Sequence, residues 1–411
     1  MGPLNAPTIL WLRRDLRVFD HPGFEAVLQS PNPRIIYSND APASPFQRRF
    51  LHETLQELAR NIRDFGLELE YKTPAEIIKE HPERVVVTAD YSPKGLLRDK
   101  QIADALGPNI MQAVDCNYAV QPGFLKTSTG GHYKVFTPFY RAWSECGWEH
   151  PNLRNAKGKA WEHWQECLED GLNGYATQRD RPDIKGTSQI SHYLSLGALH
   201  PRSLLETLQQ SDHIPNEDRT AFARELAFRE FYADFVYHRP ESLTKDVNPK
   251  FAQFKWNDIS DDFQLWKTGH TGYPIIDAGM RQLNTTGWMH NRVRMLVASF
   301  LTKDLLLPWQ LGAEYFRDTL IDYDETINQH SWQWCAGTGT DASPYFRIFN
   351  PQTQGKRYDP DAIYIRKWVP ELAETPADNI HKLRDLPETY PKPIVDHAEA
   401  RLEALARYQA L

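Results

Sequence analysis

The sequence predicts an N-terminal α/β domain with a Rossmann-like parallel sheet, followed by a large all-α domain. Over the first 116 residues, short runs rich in β-branched residues alternate with helical periodicity, which is typical of parallel sheets. From about residue 172 onward, apolar residues recur with the period of helix faces. We therefore expect residues 1–116 to form the α/β domain, residues 117–171 a connector and residues 172–411 the helical domain.

Sequence patterns place four strands and one long helix in the α/β domain. The predicted helix is Pro45–Phe65, since its apolar residues share one helical face. Neither GxGxxG nor GxxxxGK[ST] follows the first run, so the pattern does not support a self-contained dinucleotide or nucleoside-triphosphate site. The predicted strands are Thr8–Leu12, Arg34–Ser38, Leu67–Tyr71 and Arg84–Ala89.

The stretch from Thr271 to Pro351 predicts consecutive helices with polar groups on their apolar faces. Asn291 and Met295 are four residues apart, so they project from one side of a helix, and Arg294 lies beside them. An ordinary core would explain the apolar residues. It does not explain the asparagine and arginine, because unpaired buried polar groups are costly. We therefore expect these helices to enclose a polar partner.

Composition and charge narrow the class of protein. The chain has 411 residues and a formal charge of −7, which excludes a uniformly basic coat but allows a local basic face. Its four cysteines lack CxxC spacing, which favours a reduced cytoplasmic protein. No apolar run reaches membrane-spanning length. We expect a monomer without a metal site.

Four segments carry a family resemblance. TGYPIIDAGMRQLNTTGWMHNRVRM, WQWCAGTGTD, PYFRIFNP and the N-terminal WLRRDLRVFDHPGF resemble the photolyase/cryptochrome family, with similarity from about Leu10 to Leu372. The resemblance implies a flavoprotein that holds FAD in its helical domain. It is strongest to class I-type cyclobutane pyrimidine dimer photolyases with a shortened N-terminal domain. In many relatives the N-terminal domain holds an antenna chromophore and carries a longer loop at this place. Because Tyr37–Ser44 leads almost directly into the next helix here, we expect no antenna chromophore.

The resemblance assigns one group of residues to the FAD phosphates. Hydroxyls and backbone N–H groups at a helix start suit a pyrophosphate, although a simple N-cap would give the same pattern. Relatives usually carry a basic residue at the position of Gln189, so one charge contact is missing here. The phosphate-binding residues implied are Tyr175, Thr187, Ser188, Gln189, Ile190 and Ser191.

A second group matches residues around the flavin ring. Arg294 and Asp322 match an ion pair beside the isoalloxazine, and Asp324 matches an aspartate near the ring and ribityl chain. Asn328 falls at the position that faces flavin N5, where asparagine is typical of photolyases. Arg229 completes the cofactor residues that the resemblance implies.

Three of the twelve tryptophans match an electron relay. In the family, Trp332, Trp309 and Trp256 would carry electrons from the surface to photoexcited flavin. Each alone would be explained by packing, whereas the coincidence of all three favours the relay.

The remaining matches concern damaged DNA. In dimer photolyases the flipped-out lesion contacts residues that match Glu225, Asn291, Met295 and Trp334, which would be catalytic here. Phe228 stands where a stacking tryptophan is usual. Arg292 and Arg347 would lie near the DNA backbone, and with Phe228 they form the predicted DNA-binding set.

Two alternatives remain open. One is a cryptochrome-like blue-light photoreceptor, which Glu225, Asn291 and Asn328 disfavour. Phe228, His330 and the short N-terminal domain leave it open, and His330 and Ser331 stand where relatives often carry glycines. The other is a photolyase-like protein restricted to single-stranded DNA, because flipping from a duplex costs a few kcal/mol that a single strand mostly avoids. The sequence predicts light-driven dimer repair on damaged DNA.

Overall fold

A computed structural model describes residues 7–38, 40–341, 344 and 346–411 of the chain. Tyr345 of the PYFRIFNP motif lies outside the described residues. Two compact units result: Met1–Pro42, Arg48–Asn173 and Ser188–Pro240 form the first unit, and Ala43–Gln47, Gly174–Thr187 and Glu241–Leu411 form the second. Among the helices described, none combines the length and apolarity needed to span a membrane.

The first unit is built around a parallel sheet, as the sequence predicts. Its order is β3-β2-β1-β4-β5, and every described pairing is parallel. The fifth strand was not predicted, since MQAVDC has neither clean alternation nor a continuous apolar run, and Gln112 and Ala113 are exposed. The strands are β1 (Thr8–Leu12), β2 (Pro33–Tyr37), β3 (Leu69–Tyr71), β4 (Arg84–Ala89) and β5 (Met111–Cys116).

Apolar side chains cover both faces of this sheet. Leu10, Ile35 and Val86 belong to one core cluster, and Trp11 and Val85 belong to the other. The helices through residue 238 are α1 (Pro22–Leu28), α2 (Pro45–Arg63), α3 (Pro74–Lys79), α4 (Pro93–Leu106), α5 (Phe136–Cys146), α6 (Lys159–Glu166), α7 (Tyr175–Gln178), α8 (Ser191–Leu196), α9 (Pro201–Gln210) and α10 (Asn216–His238), with a π-helix at Cys167–Gly171.

The second unit is helical and its core is centred on α12 (Pro274–Thr286), α13 (Asn291–Ser299) and α15 (Glu325–Ala336). Met280, Leu283, Val297 and Leu301 are fully buried there, which confirms the predicted consecutive helices. Its helices are α11 (Asp261–Thr268), α12 (Pro274–Thr286), α13 (Asn291–Ser299), α14 (Trp309–Thr319), α15 (Glu325–Ala336), α16 (Pro351–Tyr358), α17 (Ile363–Trp368), α18 (Ala377–Lys382) and α19 (His397–Gln409), with 3₁₀ turns at Pro240–Leu243, Pro249–Gln253 and Pro370–Leu372 and a π-helix at Phe300–Asp304.

The compact units divide the chain differently from the predicted domains 1–116, 117–171 and 172–411. Buried Glu230 of α10 accepts hydrogen bonds from the backbone N–H groups of Ala119 (2.5 Å) and Val120 (3.0 Å), and from the indole of Trp143 (2.6 Å). Asp234, one turn later, accepts from Gly123 N–H. These contacts bind the connector to α10, so α10 belongs to the same unit as the sheet.

Candidate functional site

The second unit contains the Arg294–Asp322 pair. The guanidinium Nη2 donates to both oxygens of Asp322, at 3.1 and 2.9 Å, and Nε donates to the carbonyl of Met289 at 2.7 Å. Asp322 is 8 % exposed, and about a quarter of the Arg294 side chain remains open. The pair therefore holds a cation in a fixed orientation while part of its surface remains available to a ligand.

Helix α15 follows Asp322 in the chain and carries predicted site residues at every fourth position. Asp324 is its N-cap and accepts a hydrogen bond from Ile327 N–H at 3.3 Å. One turn later, the amide nitrogen of buried Asn328 donates to the carbonyl of Ala313 at 3.1 Å. That bond fixes the side chain and leaves the amide oxygen to accept a hydrogen bond. Trp332 follows one turn further, on the same side of the helix.

The three tryptophans of the predicted relay all lie in the second unit. Trp332 and Trp309 are buried, whereas Trp256 is half-buried and packs on Phe254 at a ring-centroid distance of 4.4 Å. A Cβ atom at Gly312 would lie 2.1 Å from the Trp332 ring, so glycine is what allows α14 to approach that indole. Of the three indoles, only that of Trp256 is partly exposed.

Sequence reasoning missed two neighbours of these tryptophans. The indole N–H of Trp309 donates to the Asp246 carboxylate at 2.8 Å, although nothing in the local sequence pattern singles out Asp246. Trp266 lies edge-on to Trp332 at a centroid distance of 6.1 Å and donates its indole N–H to the carbonyl of Val297. The tryptophan count alone could have raised Trp266 as a candidate.

Residues assigned to the lesion occupy accessible positions on α13 and α15. Asn291 is exposed, and Met295 and Trp334 are half-buried at the edge of the core cluster. Arg292 approaches Met295 through Nη1 at 3.6 Å from its sulfur. These side chains offer one amide, one polarisable group and one flat ring to a ligand.

Arg292 is paired with two residues of its own unit. Its Nη2 lies 2.7 Å from Asp180, and its guanidinium lies over the ring of Tyr358 at 4.6 Å. Asp180 was not predicted, because a short run of alternating charges such as QRDRPD gives no signal for a specific pair. Arg347 is exposed, and its carbonyl accepts a hydrogen bond at 2.9 Å from Lys303, whose pKa burial lowers to about 8.

Two histidines near the predicted site are buried and neutral. Burial lowers the pKa of His290 and that of His330 to about 4. His290 caps α13 by accepting from Arg292 N–H, and His330 lies 3.1 Å from the hydroxyl of Ser242. His330 therefore belongs to the interior of the second unit, whereas Ser331 is exposed.

In the first unit, α10 carries the other predicted lesion residues. Phe228 is half-buried and stacks on Phe136, with ring centroids 3.4 Å apart and planes at 9°. Glu225 is also half-buried and lies three positions earlier on the same helix face. Arg229 is buried and donates to the carbonyl of Asn117 at 2.9 Å, so it braces the connector.

Of the predicted phosphate residues, 188–191 form a short segment that leads into α8 in the first unit, whereas Tyr175 and Thr187 belong to the second unit. Gln189 is exposed and has φ of 51°, a conformation that is rare for residues other than glycine and is often found at functional sites. Ile190 is buried, and the carbonyl of Ser188 lies 2.7 Å from His163 Nε2. Thr187 precedes the segment, and Tyr175 begins α7 with the guanidinium of Arg179 5.9 Å from its ring.

Each unit by itself offers groups that fit part of a flavin cofactor. In the second unit, the Arg294 guanidinium with its open surface and the oriented amide oxygen of Asn328 suit the polar edge of an isoalloxazine. In the first unit, the hydroxyls of Ser188 and Ser191 suit phosphates. In the described ranges no group of three or more His, Cys, Asp or Glu residues is arranged to hold a metal ion.

Comparisons with known proteins cover the whole chain. Residues 8–156 match the family profile described as DNA photolyase, and residues 222–410 match the FAD binding domain of DNA photolyase. A deoxyribodipyrimidine photo-lyase from Agrobacterium fabrum is 35 % identical over 475 aligned residues, which cover 100 % of this chain and 99 % of that protein.

Solved structures agree with the sequence matches. A bacterial class III photolyase from Agrobacterium tumefaciens superposes with a TM-score of 0.92 and 34 % identity, covering 100 % of this chain and 98 % of that one. A cryptochrome from Synechocystis gives a TM-score of 0.89 and 25 % identity, with both chains fully covered. The subclass predicted from the sequence stays a prediction. The full-length similarity establishes that this chain, with its FAD-binding domain, belongs to the photolyase/cryptochrome family.

Proposed function

We propose that this protein is a deoxyribodipyrimidine photo-lyase that splits cyclobutane pyrimidine dimers in DNA with light. Reduced FAD, when bound, would supply one electron on excitation and regain it after the cyclobutane bonds break, so no net redox change remains. The family relationship supports DNA repair. The residues of the second unit support the dimer as substrate.

One observation carries this proposal: α13 bears both kinds of functional residue within five positions. Arg294, which pairs with Asp322, lies between Asn291 and Met295, the residues assigned to the lesion. A short helix can thus orient a cofactor contact and a substrate contact rigidly with respect to each other. Such preorganisation favours a reaction that requires close approach of two bound groups.

Asn328 supports a reduced flavin as the working form. Its amide nitrogen is engaged by the carbonyl of Ala313, so its oxygen is available to accept a hydrogen bond. Reduced flavin carries a hydrogen on N5 and needs an acceptor there. The cation of Arg294 would favour the negative charge of that form.

The substrate side requires a base outside the duplex stack, as in other enzymes that act on bases. Trp334 and Met295 would supply a flat wall and a polarisable wall for the dimer. Asn291, on the same unit, would hydrogen-bond a pyrimidine edge.

We propose FAD as the only chromophore. Arg13 is buried at the carboxyl ends of β1 and β4, where ligands bind in open α/β sheets. It donates to the carbonyl of Thr88 at 2.5 Å and to Asp99 at 3.1 Å. These bonds fix the Arg13 side chain in that crevice. Denaturing the protein should release FAD at about one per chain and no other chromophore, as identified by chromatography.

The experiment that tests the activity is light-dependent repair by chemically reduced protein. Oligonucleotides with one thymine dimer, single-stranded and double-stranded, would be illuminated with blue light and analysed for restored thymines. Repair of both supports the proposal, and repair of single strands alone identifies a single-strand-restricted enzyme. No repair of either by fully reduced protein contradicts the proposal and favours a photoreceptor, consistent with the similarity to a cryptochrome.

A further inference from the structure

We propose that Asp246 accepts the indole proton of Trp309 during flavin photoreduction and thereby stabilises the oxidised tryptophan. The inference rests on the proposed relay through Trp332, Trp309 and Trp256. It adds a residue that lies outside the relay and outside the motifs of the sequence. The Trp309 Nε1–H donates to Asp246 Oδ1 at 2.8 Å, which is the length of a charge-assisted hydrogen bond.

The contact is built into the second unit. Trp309 is fully buried at the start of α14, whereas Asp246 is half-buried between two 3₁₀ turns. The segment that carries Asp246 is fixed to α15, since Val247 N–H donates to Gln333 at 3.1 Å. Asn248 N–H donates to the carbonyl of Thr338 at 2.9 Å. Asp246 is therefore held in place opposite the indole.

The hydrogen-bond acceptor of another buried tryptophan can be compared with that of Trp309. Trp266 is equally buried and contacts Trp332 edge-on, but its indole donates to the neutral carbonyl of Val297 at 3.1 Å. A carbonyl can neither accept the proton at neutral pH nor supply a full negative charge. In the contacts described for these two indoles, Trp309 donates to a carboxylate and Trp266 donates to a backbone carbonyl.

Charge and chemistry determine what Asp246 does. Loss of one electron makes an indole a cation and its N–H a strong acid. A carboxylate at this distance, partly shielded from water, stabilises that cation by attraction. The electron leaves Trp309 for oxidised Trp332, the N–H bond breaks, and an O–H bond forms on Asp246. When Trp256 returns an electron to Trp309, the proton moves back, and a thiol in solution restores Trp256.

The consequence is a longer-lived separation of charge. An oxidised Trp309 that has released its proton to Asp246 regains an electron only as the proton moves back, which slows the return of the electron from Trp332. The lifetime of the separated charges increases, and more flavin remains reduced. Asp246 is thus a positioning and proton-accepting partner of the relay, whereas the dimer-splitting step does not require it.

The test is Asp246→Asn in the FAD-loaded protein. Asparagine retains a hydrogen-bond acceptor of the same shape but has no charge and takes no proton. Under blue light with a thiol, the yield of reduced flavin should fall by about tenfold or more. Transient absorption should change from a neutral to a cationic tryptophan radical with a shorter lifetime, and the effect of deuterium oxide on that decay should disappear.

A second readout does not depend on illumination. In the dark, the NMR signal of the Trp309 indole N–H, assigned with Trp309→Phe, should move upfield in Asp246→Asn because the hydrogen bond loses its charge. Glu374→Gln, which removes an exposed carboxylate of the same unit, should change neither measurement. Equal thermal stability of the two variants would exclude a folding defect.

The outcomes separate the inference from the relay on which it rests. If Trp309→Phe abolishes photoreduction of FAD while Asp246→Asn photoreduces FAD as the parent protein does, the relay stands and the proposed role of Asp246 is wrong. If Trp309→Phe also photoreduces normally, the relay itself is wrong. If Asp246→Asn loses photoreduction but chemically reduced enzyme still repairs dimers, both the inference and the proposed activity are supported.

Discussion

Phe228 stacks face to face on Phe136, with ring centroids 3.4 Å apart and an angle of 9° between the planes. The sequence predicts that Phe228 stacks against DNA in place of the tryptophan usual in the family. The structure assigns one face of its ring to α5. A base could therefore stack only on the opposite face, and Phe136 limits how far the ring can turn.

Replacing Phe228 tests this arrangement. Phe228→Trp should tighten binding of dimer-containing DNA by up to about tenfold, because base–aromatic stacking contributes roughly 1–3 kcal/mol and the larger ring covers more area. Phe228→Ala should weaken it. Fluorescence anisotropy with damaged and undamaged oligonucleotides measures both. Phe136→Leu removes the ring that stacks on one face of Phe228. It should lower the thermal stability but change DNA affinity less than Phe228→Ala does. If Phe136→Leu lowered DNA affinity more than Phe228→Ala, Phe228 would contribute to core packing and not to DNA binding.

Asp180 should restrain the binding of undamaged DNA. It lies 2.7 Å from Arg292, so a phosphate must replace a carboxylate before it can pair with that guanidinium. Asp180→Asn should therefore strengthen binding to undamaged duplex several-fold at low salt. Arg292→Gln should weaken binding and reduce the slope of log K against log salt by about one. Salt titrations of the parent and both variants provide the measurement, and a slope unchanged in Arg292→Gln would contradict the proposed phosphate contact.

The architecture and the chemistry of the site differ in how far sequence predicts them. The alternation of short β-rich runs with helical segments predicts the parallel sheet, because parallel strands need a long crossover connection, usually a helix. Helical periodicity places α13, and the motifs there include Arg294. Asp180 and Asp246 could not be predicted, since each meets its partner across at least sixty residues of chain. The stack of Phe228 on Phe136 depends on tertiary packing in the same way.

Trp332 should be required for photoreduction and dispensable for repair. Trp332→Phe leaves a ring that packs beside Gly312 but is much harder to oxidise, so photoreduction of oxidised FAD should fall at least tenfold. Chemically reduced Trp332→Phe should still repair dimers. Trp266→Phe is the matched control, because it removes an indole that contacts Trp332 without belonging to the predicted relay. Flavin absorbance under illumination gives the rates, and normal photoreduction in Trp332→Phe would remove the path.

The Arg294–Asp322 pair should bind FAD through its cation. Arg294→Gln leaves the buried Asp322 carboxylate without this ion partner, which should cost about 3 kcal/mol of stability as well as FAD. Arg294→Gln combined with Asp322→Asn removes both charges and should recover most of that stability. FAD content of the double variant then reports binding alone. FAD retained at one per chain in a stable double variant would show that the cation does not hold the cofactor.

His330 should make the fold sensitive to acid. Burial lowers its pKa to about 4 in the folded protein, whereas an unfolded histidine titrates near 6.5. Between these values the unfolded chain binds more protons, so the stability contributed by neutral His330 is complete above pH ~6.5 and is lost as the pH falls towards 4. The full difference is about 3 kcal/mol at most.

His330→Gln removes this titration. At pH 7.5 the variant should be less stable by about 1 kcal/mol, because the contact with Ser242 is altered, but its stability should fall less than that of the parent protein between pH 6.5 and 4.5. Urea midpoints from circular dichroism at several pH values measure both curves. His150→Gln is the control, since 89 % of that side chain is exposed and its replacement should leave the slope unchanged. Parallel curves for His330→Gln and the parent protein would mean that His330 accepts its proton in the folded state as readily as in the unfolded chain, which its burial opposes.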